Sequence, residues 1–182
     1  IEMRALLERF AVPLATRLTS TGATPSERLV AYLEQIDSAI RSFDTLEMAA
    51  LAFACTGSSY LVGAPREAEL VSNAEARFGM PVITATKAIA EECVLRGATR
   101  IAVLAPYPES LIDASVSYWT DAGLDVVARQ RIDVGEDTRA IYSLTDAEVR
   151  RAIDAFDSAN ADLTLLSGTG MPTIAALVNH HS

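Results

Sequence analysis

The chain has 182 residues, 50% hydrophobic with a mean hydropathy of +0.22; that core supply excludes a disordered chain and suffices for one large domain or two small α/β lobes. With 24 acidic against 15 basic residues the net charge is −9, which excludes a nucleic-acid footprint and requires local donors, not long-range steering, to hold any anionic substrate. Two cysteines without a CxxC spacing argue against a disulfide framework or a zinc site and for a reducing cytoplasm, and no apolar run reaches the ~18 residues of a membrane helix.

Along the chain, Thr24 before Pro25-Ser26-Glu27-Arg28 reads as the N-cap of a helix, with Leu29, Leu33, Ile36 and Ile40 holding the helical period to about Phe43. Residues 48–55, MAALAFAC, form a continuous apolar run of strand length and of the fully buried type, ending in the turn Thr56-Gly57-Ser58-Ser59. Residues 67–78 read as a helix closed by Gly79, and 81–84 as a short strand. A helix over 85–96 stops at Gly97, and a second buried strand spans 100–105 (RIAVLA), ending at Pro106-Tyr107-Pro108. A helix over 110–122 stops at Gly123, followed by a strand over 124–132 and a polar loop over 133–138. A helix over 146–156, a strand over 161–167 (ADLTLLS), the turn Gly168-Thr169-Gly170 and a helix from Met171 complete the pattern. Regular strand–helix alternation predicts parallel sheets with helices on both faces.

Two places in this order echo each other. MAALAFAC runs into Cys55-Thr56-Gly57, and DLTLLS runs into Gly168-Thr169-Gly170. Two similar lobes face to face would bring both turns to one cleft, at the carboxyl ends of strands where α/β folds bind ligands.

Few residues here carry chemistry. Cys55 sits where a buried strand gives way to a turn. It is either an inert core thiol or one set at a helix N-terminus, where the field on sulfur is positive and the N–H groups and hydroxyls of Thr56, Gly57 and Ser58 form a carboxylate nest. The Thr-Gly-Ser-Ser turn favours the second reading. Cys93 shares a helix face with Ile89 and Ala90 and reads as core. Tyr107 is an ordinary loop tyrosine on position alone, yet a phenol at a strand's carboxyl end can donate to a substrate oxygen. Gly168-Thr169-Gly170 has neither Walker nor dinucleotide-fingerprint spacing. The acidic residues Asp133, Glu136 and Asp137 read as a solvated loop from which Asp137 can reach the cleft. His180 and His181 are adjacent and make a poor metal pair, so no metal site is expected.

In this order, AFACTGSS, RIAVLAPY and LLSGTGMPT, with ATPSERL before the first long helix, resemble the Asp/Glu racemase superfamily, and within it maleate cis-trans isomerase and arylmalonate decarboxylase. The resemblance runs from about Pro13 to Ala176. It implies two doubly wound α/β lobes with parallel sheets, related by a pseudo-twofold, with the active site in the cleft between them. Residues 1–84 would form the first lobe and 85–182 the second, with a further strand expected before Ile1 and another after Ser182. It implies a cofactor-independent enzyme acting on a small carboxylate, and it leaves homo-oligomerisation open. Cys55 matches the first-lobe cysteine of the family's two-cysteine members, and Gly168 falls at the vacated second-lobe position. Carboxylate-binding positions carry over to Thr56, Gly57, Tyr107, Thr169 and Gly170, with Ser58 beside them. Maleate isomerases hold an asparagine near what is here Asp137, and an acid there would repel a second substrate carboxylate.

A two-base racemase needs a thiol on each face of the α-carbon, which glycine at 168 disfavours. A decarboxylase-like reaction with Cys55 as single proton donor is the leading expectation, the space at Gly168 being available to water or substrate bulk. Cys55 as nucleophile in a maleate isomerase-like reaction is the alternative, followed by a non-catalytic carboxylate-binding protein and then a flavodoxin-like redox module.

Overall fold

The structure is a computed structural model, and it describes residues 6–7, 9–135, 138–168, 170–174 and 176–177. Thr24 caps the first helix, α1 (Pro25–Glu34): its hydroxyl accepts the Glu27 N–H while the Glu27 side chain returns to the Thr24 N–H, a reciprocal capping box. The helical period continues past Glu34, but the helix does not. Gln35 takes a non-helical conformation, and a separate helix α2 (Ile36–Arg41) follows, so the single helix expected to Phe43 is two. Leu33, Ile36 and Ile40 are nonetheless all buried, because the break preserves the face they share.

Strand β1 (Leu51–Phe53) is shorter than the apolar run that encodes it and pairs in parallel with β2 (Val82–Thr84), Leu51 opposite Val82. The expectation of a fully buried strand fails: Phe53 is buried but Ala52 is exposed, as is its partner Ile83 on β2, so one face of this sheet is uncovered among the described residues. Between these strands run α3 (Thr56–Val62), which begins directly at Thr56 with no intervening turn, and α4 (Ala64–Phe78), closed by Gly79 in the left-handed conformation. Residues 85–95 form α5 (Ala85–Leu95).

The second sheet has the order β4-β3-β5, all parallel, from β3 (Arg100–Ala105), β4 (Asp125–Arg131) and β5 (Leu163–Leu166). Its central strand β3 is buried from Ile101 to Ala105, as its uninterrupted apolar sequence requires. Helices α6 (Glu109–Asp121) and α7 (Asp146–Ala155) connect the strands, the latter opened by a capping box of Thr145 and Glu148. A 3-10 turn (Thr138–Ser143) follows the polar loop after β4.

Each sheet has its own apolar core. Leu33, Ile36, Ile40, Phe53, Val71 and Val82 fill the first. Ile101, Val103, Leu104, Ile112, Trp119 and Val149 lead the second, larger one. Mixed α/β architecture with two parallel sheets is therefore the fold that the strand–helix alternation encodes. Among the described residues, no helix is long and apolar enough to cross a membrane, and no cluster of three or more His, Cys, Asp or Glu residues is placed to hold a metal ion.

Candidate functional site

The carboxyl ends of three strands converge. β1 leads to Cys55 and α3, β3 to Pro106-Tyr107, and β5 to Ser167-Gly168. Cys55 is the N-cap of α3, in extended conformation, and is half-buried. Its side chain caps no backbone N–H. Instead its sulfur accepts a hydrogen bond from the Ser58 hydroxyl at 3.2 Å.

Beside it lies a dry cluster of hydroxyls contributed by both lobes. Thr56 Oγ1 is 2.9 Å from the Tyr107 phenol oxygen and 3.3 Å from Ser167 Oγ, and Ser167 Oγ is 2.8 Å from the Tyr60 phenol oxygen. All four residues are buried. The two strand ends that echo each other in sequence therefore meet, through Thr56 and Ser167. Burial raises the Tyr60 phenol to about 12 and pushes Tyr107 further up, against the lowering effect of its bond to Thr56. Both phenols therefore keep their protons at neutral pH and remain hydrogen-bond donors.

Gly57 is buried, and a Cβ there would meet Leu111 and Leu29 side chains at 3.4 and 3.5 Å. Its backbone N–H is thus all that it can offer a ligand. Gly168 has φ +147°, and a Cβ would sit 3.0 Å from Cδ and 3.2 Å from Cγ of Pro106. The expected free space at 168 is therefore absent in the side-chain direction: the Pro106 ring occupies it. Gly170 does not join the hydroxyl cluster; it packs on the 3-10 turn, where a Cβ would approach Tyr142 to 2.8 Å. Thr169 and Asp137, two other expected site positions, lie outside the described residues, as do Glu136, His180 and His181.

The sequence places Cys55, Thr56, Ser58 and, through the resemblance, Tyr107 near one another but does not single out Ser167 or Tyr60. Ser167 carried a usable signal, since it ends the strand that echoes β1. Tyr60 and Glu67 carried none, because their burial follows from how α3 and α4 pack. Cys93 is buried, as its core face implies, and burial raises its thiol above the ordinary range.

A half-buried thiol thus lies next to a shared set of buried hydroxyls at the strand ends of a two-sheet α/β protein. The model of the arylmalonate decarboxylase family matches residues 25–180, and the chain belongs to that family. It is an enzyme of decarboxylase or isomerase type. No curated protein sequence matches the chain.

Solved structures agree on the fold. The maleate isomerase Iso from Pseudomonas putida superposes with a TM-score of 0.84 at 21% identity, covering 98% of this chain and 76% of its own. A mutant of the Nocardia farcinica maleate cis-trans isomerase, carrying a covalently bound succinylcysteine intermediate, gives 0.80 at 22% identity, with coverages of 94% and 73%. A double mutant of arylmalonate decarboxylase in its liganded form gives 0.76 at 22%, with coverages of 89% and 69%.

Proposed function

We propose that this protein is a cofactor-independent decarboxylase acting at the α-carbon of a small malonate-type carboxylate, with Cys55 as its single proton donor. The observation that carries the reading is the pairing of one half-buried thiol, Cys55, with the Thr56–Tyr107–Ser167 hydroxyl cluster, while Gly168, next to Ser167, has its side-chain direction blocked by Pro106.

In this mechanism one carboxylate of the substrate takes hydrogen bonds from Thr56, Tyr107 and the N–H groups at the start of α3. The bond between the α-carbon and the other carboxylate breaks, releasing CO₂. Its electron pair passes into the remaining carboxylate as an enediolate, which the same donors stabilise as negative charge builds on oxygen. The Cys55 S–H then gives its proton to the α-carbon, and the sulfur is reprotonated from solvent. The Ser58 hydroxyl, bonded to the sulfur, steadies it between the two states. Gly168 occupies the position of a second-lobe thiol. Protonation from one face yields one product enantiomer. Division of the chain into a first lobe over 1–84 and a second over 85–182 belongs to the same proposal, with each lobe supplying one half of the cleft.

A second reading has its own support. A succinylcysteine intermediate bound in the Nocardia farcinica isomerase mutant fits a cysteine acting as nucleophile, and Cys55 would then add to an alkene carbon of a maleate-like diacid. Incubation with phenylmalonate, methylphenylmalonate and maleate separates the two. Release of CO₂ with a single enantiomer from methylphenylmalonate supports the decarboxylase. Fumarate from maleate selects the isomerase instead, racemic product refutes one-sided delivery, and binding without turnover refutes catalysis.

A further inference from the structure

The mechanism above gives no role to Glu67, although its carboxyl group is 4% exposed and lies inside α4. It accepts hydroxyl hydrogen bonds from three other helices. Ser59 of α3 donates to Oε1 at 2.9 Å, Thr86 of α5 to the same oxygen at 2.6 Å, and Tyr118 of α6 to Oε2 at 2.6 Å. Ser59, Thr86 and Tyr118 are themselves buried. Among the described residues, no ion pair engages Glu67. The group is therefore held by three directional bonds, each of which is costly to leave unmade in a dry interior.

Both ends of this clamp lead to the site. Ser59 stands on the same helical turn as Thr56, Gly57 and Ser58, directly after the hydroxyl that bonds the Cys55 sulfur. Tyr118 packs edge-on against Tyr60 at 5.6 Å between ring centroids, and the Tyr60 phenol bonds Ser167. One carboxyl group thus braces the thiol-bearing turn from below and, through two rings, the hydroxyl cluster beside it.

We propose that Glu67 is a positioning residue for the Cys55 site: by tying α3 to α5 and α6 it fixes the turn that aims Cys55, Thr56 and Ser58. The assignment rests on the functional reading above for the reaction it serves, but not for the geometry it controls. Its test therefore has two arms. In a Cys93→Ala background, which leaves one thiol, the rate of Cys55 alkylation by iodoacetamide is followed against pH by intact mass, beside thermal melts. Glu67→Leu and Ser59→Ala slow alkylation at neutral pH by roughly tenfold, and the double variant is no slower than either alone, because both remove the same tie. Glu67→Gln keeps an acceptor for Ser59 and Thr86 and restores most of the rate.

The other arm is turnover of the malonate panel, in which kcat falls with KM little changed. Should Glu67→Leu fail to fold, Ser59→Ala carries the test. A lower melting temperature with an unaltered alkylation rate and pH profile overturns the proposal, leaving Glu67 as a structural brace. Alkylation that depends on Glu67 in a protein that turns over none of the panel keeps the positioning role and overturns the decarboxylase reading.

Discussion

Gly168 offers a sharp quantitative test of the site's geometry. Its φ of +147° is one that L side chains rarely adopt, and a Cβ would stand 3.0 Å from Pro106 Cδ and 3.2 Å from Cγ. Pro106 is fully buried, so its ring has little room to yield. Backbone strain of about 1–3 kcal/mol and overpacking of about 1–3 kcal/mol then act together, and Gly168→Ala destabilises the fold by roughly 2–6 kcal/mol. For a chain of this size, at ~2–4 °C per kcal/mol, the melting temperature falls by roughly 4–24 °C. Gly79→Ala is the matched control. Gly79 is left-handed, with φ 67° and ψ 25°, but nothing lies within 4 Å of a Cβ there, so it loses only about 1 kcal/mol. Differential scanning calorimetry of both variants decides the matter. Equal shifts would refute the argument that Pro106 blocks position 168. By the same reasoning Gly168→Cys does not produce a racemase, because the added thiol has no place to stand without displacing Pro106.

Tyr107→Phe removes a donor from the Thr56 cluster while keeping the ring, and lowers kcat/KM by roughly 10²-fold, with a circular dichroism spectrum like that of the parent. Unchanged kinetics would remove Tyr107 from the carboxylate site. Asp162 accepts the N–H groups of Thr99 and Arg100, and these bonds hold its carboxyl below the ordinary 3.8. Its contribution is therefore present above the unfolded pKa and is lost as pH falls through the lowered folded value. Asp162→Asn makes urea-derived stability less dependent on pH below about 4, and parallel curves for the two proteins would contradict this. Thr145→Ala, which breaks the capping box of α7, lowers the unfolding free energy by about 1 kcal/mol, as read from urea midpoints.

Much of the fold was legible because its signals are local. Glycine stops after α4, α5 and α6, the Thr24 cap, and the unbroken apolar run of β3 all fall where the structure has them. Burial of β1 differs from expectation because an apolar run cannot report whether both faces of its sheet are covered, and Ala52 shares an open face with Ile83. The break at Gln35 was hidden because the buried face of Leu33, Ile36 and Ile40 continues across it. Within the site, Cys55, Thr56 and Ser58 stand out at a strand end, whereas Tyr107 enters only through the resemblance and Ser167 is marked only by the strand echo. Tyr60 and Glu67 carry no signal, since their partners are up to 107 residues away in sequence, as for Tyr60 and Ser167. Such pairings depend on how the lobes and helices pack, and no local pattern encodes that.

A proton-NMR time course in D₂O, with methylphenylmalonate as substrate and Cys55→Ala alongside the parent protein, bears most directly on the role of Cys55. The account predicts CO₂ loss from the parent to give an acid with one deuterium at its α-carbon, resolved as a single enantiomer by chiral chromatography, and loss of that product in the variant. Equal turnover by Cys55→Ala, or a racemic product from the parent, would contradict it.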